Sequence, residues 1–174
     1  LRKTGWGIVA WKNNSFSYLD DGFLFQNDKL ELGQKLVRIF DSLSLLIKKT
    51  KPDLIGIEQT FVGSGNVSSL KLGMARGICI LTAAKLGVKT LEIQPKLVKK
   101  NITGSGVASK DQVNLMVKNI LNIVPKSEDS SDALAVAMSI QSKSIGKLDN
   151  GEYSSKLDQA IANALEKEKV NMQK

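Results

Sequence analysis

Leu54, Ile55 and Ile57 make a short apolar run broken only by Gly56 and opened by Pro52 and Asp53, which predicts a strand buried on both faces. Such a strand is central in its sheet, and this one ends on Glu58. Upstream, Gly5 to Trp11 and the aromatic-rich stretch Ser15 to Phe25 read as strands of an antiparallel meander, the second broken at Asp20-Asp21-Gly22 by a turn or bulge signal. Asp28 and Glu31 form an N-cap pattern before a helix whose Leu32, Leu36, Ile39/Phe40, Leu43 and Leu46/Ile47 recur at helical spacing, ending near Lys48-Lys49. Downstream, a helix is predicted over Val67 to Leu86 and a strand over Val88 to Ile93. A short turn or helix then spans Gln94 to Lys100, and a loop spans Asn101 to Ser109. Ser109 and Gln112 make a capping-box pair for a helix that aligns Val113, Met116, Val117, Ile120 and Leu121. An apolar helix begins at Asp129-Ser130-Ser131-Asp132; from Gln141 to Tyr153 the chain reads as a linker, and Leu157, Ile161 and Leu165 stripe a final amphipathic helix.

Composition narrows the chemistry. At 174 residues and 42% hydrophobic, the chain can bury one substantial core. Its formal net charge of +8 favours a polyanionic partner. There is no histidine, which excludes Ser/His nucleophiles and His-ligated metals, so any metal is held by carboxylates and is a hard ion such as magnesium or manganese. Cys79 is the only cysteine and reads as core packing. No run reaches membrane-spanning length and no signal peptide is visible, so the expected setting is a reducing, cytoplasmic one with no membrane partner.

Several residues carry both a bland and a sharp reading. Glu58 either leaves the sheet into solvent or delivers a carboxylate to the edge where open α/β sheets bind ligands. Phe61, beside Gly63-Ser64-Gly65, either packs or stacks on an unpaired base. Asp129 and Asp132 share a helix face, where they either cap the helix as N-cap and N3 or bind something outside it. Lys110, in a helix's first turn, opposes the helix dipole and suits an external anion or plain solvation. Gly73, Gly77 and Ala84 line one side of their helix for close packing or a dimer contact.

The order of these elements resembles the RNase H-like nuclease fold, an α/β fold with a mixed central sheet flanked by helices. In that fold carboxylates from separate elements converge on two metal ions about 3.5–4 Å apart. The motifs resemble one family in particular, the bacterial RuvC crossover junction endodeoxyribonucleases. They are Leu1-Arg2-Lys3-Thr4-Gly5-Trp6-Gly7, Ile57-Glu58-Gln59-Thr60-Phe61-Val62, Leu70-Lys71-Leu72-Gly73-Met74-Ala75-Arg76-Gly77, Val98-Lys99-Lys100, Gly104-Ser105-Gly106-Val107-Ala108-Ser109-Lys110 and Asp129-Ser130-Ser131-Asp132-Ala133-Leu134-Ala135. The resemblance covers residues 1–140 as a nuclease domain and leaves 141–174 as linker and tail.

This resemblance implies a homodimer that resolves four-way DNA (Holliday) junctions by paired symmetric nicks in recombination and repair, together with the RuvA and RuvB branch-migration proteins. It implies Glu58, Asp129 and Asp132 as metal ligands for two Mg2+ ions, with Mn2+ as substitute. It also implies Lys99 and Lys110 as phosphate contacts near the scissile bond, Lys100 and Arg76 as further DNA contacts, and Phe61 as the base-stacking residue. Two departures accompany it. The family's Gly-Ile-Asp-Pro-Gly-like segment would precede Leu1, so the chain as given is expected to bind junctions but cut them negligibly. The family's histidine after the last aspartates is also absent, since Ala137-Met138-Ser139-Ile140 stands there. The alternatives are a non-catalytic junction-binding protein and an RNase H-like nuclease acting on RNA.

Overall fold

The structure, a computed structural model, describes residues 1–59 and 67–144. The chain divides into two units, Leu1–Lys143 and Ser144–Lys174, and the architecture below is that of the first.

Strands β1 (Lys3–Lys12) and β2 (Ser15–Phe25) form an antiparallel hairpin. Its turn is Asn13-Asn14, both in the left-handed region at φ 51° and 60°, as a two-residue turn matching strand twist requires. The register shifts between Ile8 and Val9: Ile8 faces Asp20 and Val9 faces Tyr18, which leaves Leu19 as the extra residue. The break expected at Asp20-Asp21-Gly22 is therefore a bulge within one continuous strand.

Helix α1 (Leu32–Thr50) is capped by Glu31, whose capping box closes with Gln34. Asp28, expected at that cap, instead pairs with Arg2 at 3.0 Å. Strand β3 (Leu54–Glu58) lies parallel to β4 (Lys89–Ile93), with Glu58 opposite Ile93, and α2 (Val67–Lys85) makes the crossover between them. Pro95 occupies the first turn of α3 (Pro95–Thr103), whose C-cap is Gly104 at φ 81°, so the helix runs further than the short element expected there. Helix α4 (Lys110–Leu121) carries the expected capping box, the Ser109 hydroxyl accepting from the Gln112 N–H at 3.2 Å. Helix α5 (Glu128–Ser144) continues past Gln141, where a linker was expected.

Among the described residues the strands form two ladders, one antiparallel and one parallel. Helix α5 packs on both. A Cβ on Gly7 of β1 would meet Leu134, and one on Gly56 of β3 would meet Val136 and Ile140, so two strand glycines admit the helix. Around it lies the apolar core, which takes Leu134, Val136 and Ile140 from α5, Ile93 from β4, Val98 and Ile102 from α3, and Val113, Val117 and Leu121 from α4. Among the described residues no helix is long and apolar enough to cross a membrane.

Candidate active site

Strand β3 carries Glu58 to its C-terminal end, where the side chain is exposed. Protein still surrounds its carboxyl closely enough that desolvation, first, and the Asp132 charge, second, hold its pKa above the ordinary glutamate range. Asp132 is raised as well, chiefly by desolvation, with Lys110 pulling the other way and Asp129 and Glu128 adding to the rise. A strand and a helix distant in sequence thus bring carboxylates into mutual electrostatic reach, and two of them resist ionisation.

The first turn of α5 explains why its aspartates are available. Ser127 and Ser130 cap it reciprocally: the Ser130 N–H donates to the Ser127 hydroxyl at 3.0 Å, and the Ser127 N–H to the Ser130 hydroxyl at 2.9 Å. Serines therefore do the work that the capping reading assigned to Asp129 and Asp132. Ser130, Ser131 and Leu134 point inward and are buried, whereas Asp129 and Asp132 lie on the half-exposed face.

Lys110, at the start of α4, turns toward this face. Its ammonium lies 3.1 Å from Glu128 Oε2 and 3.4 Å from Asp132 Oδ2, and these contacts, Glu128 first, raise its pKa. In the protein alone the lysine answers carboxylates of its own chain. Lys99 and Lys100 sit on α3, which begins just after β4 at the sheet edge where Glu58 ends, Lys100 being exposed. Arg76 of α2 forms a two-pronged pair with Glu92 of β4, its Nε donating at 3.2 Å, and so ties helix to strand. Phe61 and the glycine loop after it lie outside the described residues.

Among the described residues no group of three His, Cys, Asp or Glu side chains stands close enough to hold a metal ion. The donor chemistry nevertheless fits a hard cation. Glu58 and Asp132 are oxygen donors whose charges cost more here than in water, and the Lys110 ammonium already stands in for a cation beside Asp132. Sequence reasoning missed Glu128, the nearer partner of Lys110; its place beside Asp129 in an acidic first turn was the available signal.

Comparison with known proteins decides the family. The family model for crossover junction endodeoxyribonuclease RuvC matches residues 1–140. The chain belongs to the RuvC family. A crossover junction endodeoxyribonuclease RuvC from Rhizobium johnstonii is 38% identical over 139 residues, covering 79% of this chain and 82% of that protein. One from Rhodopseudomonas palustris is 40% identical over 79% of this chain and 80% of that protein. Among solved structures, RuvC from Thermus thermophilus superposes with a TM-score of 0.74 at 25% identity, covering 83% of this chain and 91% of that one. RuvC from the same organism in complex with a Holliday junction substrate also gives 0.74, at 26% identity, over 80% of this chain and 87% of that one. The RNase H-like α/β fold expected for RuvC proteins is therefore the fold of this chain.

Proposed function

We propose that this RuvC-family chain is a structure-specific endonuclease that resolves four-way DNA junctions by paired symmetric nicks during recombination and repair. The observation that carries this reading is the RuvC family match over residues 1–140, and the electrostatic reach between Glu58, at the end of β3, and Asp132, on α5, supports it. Structural folding gains nothing from bringing two carboxylates together, whereas metal-dependent phosphodiester hydrolysis needs them.

Glu58, Asp129 and Asp132 would hold magnesium, or manganese in its place, two ions completing the site. Bound there, the metal supplies Lewis acidity at the phosphate and a nucleophilic water, and the products carry 5′ phosphate and 3′ hydroxyl ends. Lys99 and Lys110 neutralise charge on the scissile phosphate, Lys110 by exchanging its own carboxylates for the substrate. Lys100 extends the phosphate contacts. Arg76 acts on DNA mainly through its hold on Glu92, which sets α2 against β4. Phe61 stacks on a base at the opened junction centre.

A paired cut needs two sites, and a homodimer supplies them. Leu70, Met74 and Leu81 are exposed along α2, and Cβ atoms on Gly73 and Gly77 would meet nothing, so this face suits a second copy. RuvA and RuvB are the expected partners on the junction. A cytoplasmic setting agrees with the lone cysteine, Cys79.

The deciding experiment incubates the protein with a synthetic four-way junction, linear duplex or RNA in magnesium. Symmetric nicks in the junction alone are expected. Glu58→Gln and Asp132→Asn should each cut nicking by more than the ~10–100-fold that losing an outer-shell partner costs, with junction binding kept. Binding without any nicking by the unsubstituted protein would favour the junction-binding reading, and preferential cutting of RNA would favour the other nuclease.

A further inference from the structure

Asp21 is the one fully buried charged residue among the described residues, 1% exposed in the middle of β2. Its Oδ1 accepts the Tyr18 hydroxyl at 2.7 Å, and its Oδ2 accepts the backbone N–H of Lys126 at 2.8 Å. The Lys126 ammonium reaches back to the Asp21 carbonyl at 2.8 Å and to Asp20 Oδ1 at 2.6 Å. The Ser130 hydroxyl donates to the Ser127 carbonyl at 2.9 Å and also interacts with the Asp21 carboxylate, helping to hold its pKa down.

A buried carboxylate is a poor choice if only stability is wanted, because removing its charge from water costs more than a packed apolar side chain would. Directional hydrogen bonds to particular backbone atoms are what it provides instead. Desolvation pushes the Asp21 pKa up, but bonds from Ser130, Tyr18 and the Lys126 N–H outweigh it and the group stays ionised. Every long-range partner of this carboxylate lies on the loop and first turn that lead into the α5 aspartates. From the other side, Gly5 lets the same turn sit directly on β1. The turn is held from two strands.

We infer that Asp21 is a positioning residue of the active site: from β2 it fixes the first turn of α5, so that Asp129 and Asp132 are presented to Glu58 in one arrangement. The proposal rests on the reading of those aspartates as metal ligands. It predicts two separable effects, one on metal affinity and one on the motion of the turn.

The test uses the full chain with Asp21→Asn, which removes the charge and leaves one acceptor oxygen where the carboxylate has two, and Tyr18→Phe, which removes one bond and leaves the Lys126 clamp. Mn2+ affinity is read by electron paramagnetic resonance, and amide hydrogen exchange is followed across Ser130 to Ala133. Asp21→Asn should weaken Mn2+ binding at least fivefold and speed exchange in that turn at least tenfold, with exchange in α4 and the β3–β4 pair unchanged. Tyr18→Phe should move both readouts the same way by less, and Lys126→Ala, which keeps the backbone N–H, should leave the turn's exchange within about twofold of the parent. Should Asp21→Asn fail to fold, Tyr18→Phe decides. Unchanged affinity and unchanged turn exchange in the folded variants would overturn the proposal, as would a uniform rise in exchange across the whole chain. A parent chain that binds no Mn2+ while Asp21→Asn still frees the turn would count against the aspartates as ligands, leaving the Asp21 clamp itself established.

Discussion

Gly5 lies so close beneath the carbonyl of Asp129 that a side-chain carbon on Gly5 would overlap that oxygen. Backbone cannot yield as a flexible side chain can, so Gly5→Ala must lift the first turn of α5 off β1. The expected loss is about 1–3 kcal/mol of stability, typical of overpacking, measured by urea unfolding. A variant as stable as the parent would mean that the turn gives way freely.

The raised pKa of Glu58 makes a prediction with a definite sign. In the folded protein its carboxyl holds a proton to higher pH than in the unfolded chain, so across that window the folded state binds more protons and stability falls as pH rises. Glu58→Gln removes the charge that causes this loss. Without divalent ions, the variant should therefore be more stable than the parent at pH 7, with the advantage gone below the ordinary glutamate range. Urea midpoints at the two pH values check it, and a variant less stable at pH 7 would contradict the assignment of cause.

Lys110 competes with any metal for Asp132. Lys110→Met should thus tighten Mn2+ binding, but by no more than about fivefold, since a half-exposed ion pair contributes at most about 1 kcal/mol. Junction cleavage should fall in the same variant. Calorimetric titration decides the first part, and weaker Mn2+ binding would show that the lysine supports the ion site instead of opposing it.

Phe61→Ala should slow cleavage of a fully paired junction far more than that of one already unpaired at its centre, because stacking on a base is worth about 1–3 kcal/mol and pre-opening supplies that step. Single-turnover rates on the two substrates give the comparison. Equal losses would assign Phe61 to packing.

Leu81 is 56% exposed on the α2 face proposed for dimerisation. Leu81→Glu should shift the protein to monomer in sedimentation equilibrium without lowering its unfolding midpoint at low concentration, where the parent is monomeric too. A dimer that survives this charge would place the interface elsewhere.

Local signals were read most reliably where one short stretch determines the outcome. Strand β3 and its terminal Glu58, the Ser109–Gln112 box and the span of α2 were all visible in spacing and residue type. Caps that depend on competition were harder to read. Asp28 is as good a cap as Glu31 in isolation, and only the fold supplies Arg2 to draw it away. The serines at α5 were likewise overlooked because the neighbouring aspartates are stronger acceptors on paper. Asp21 could not be read at all. Adjacent acids in a strand alternate between faces, and the bulge at Leu19 decides which of the two turns inward.

The hydrogen bond between Asp21 and Lys126 joins points 105 residues apart. Closing a loop of that length costs about 4 kcal/mol of chain entropy, so it follows the pairing of β1 with β2, which needs only a two-residue turn. A chain still emerging from the ribosome therefore reaches Glu58 with its hairpin already made, and has no α5 to set beside it. The α5 aspartates come within reach of Glu58 only once the chain beyond Lys126 has been made, so the candidate site is the last part of the fold to be assembled.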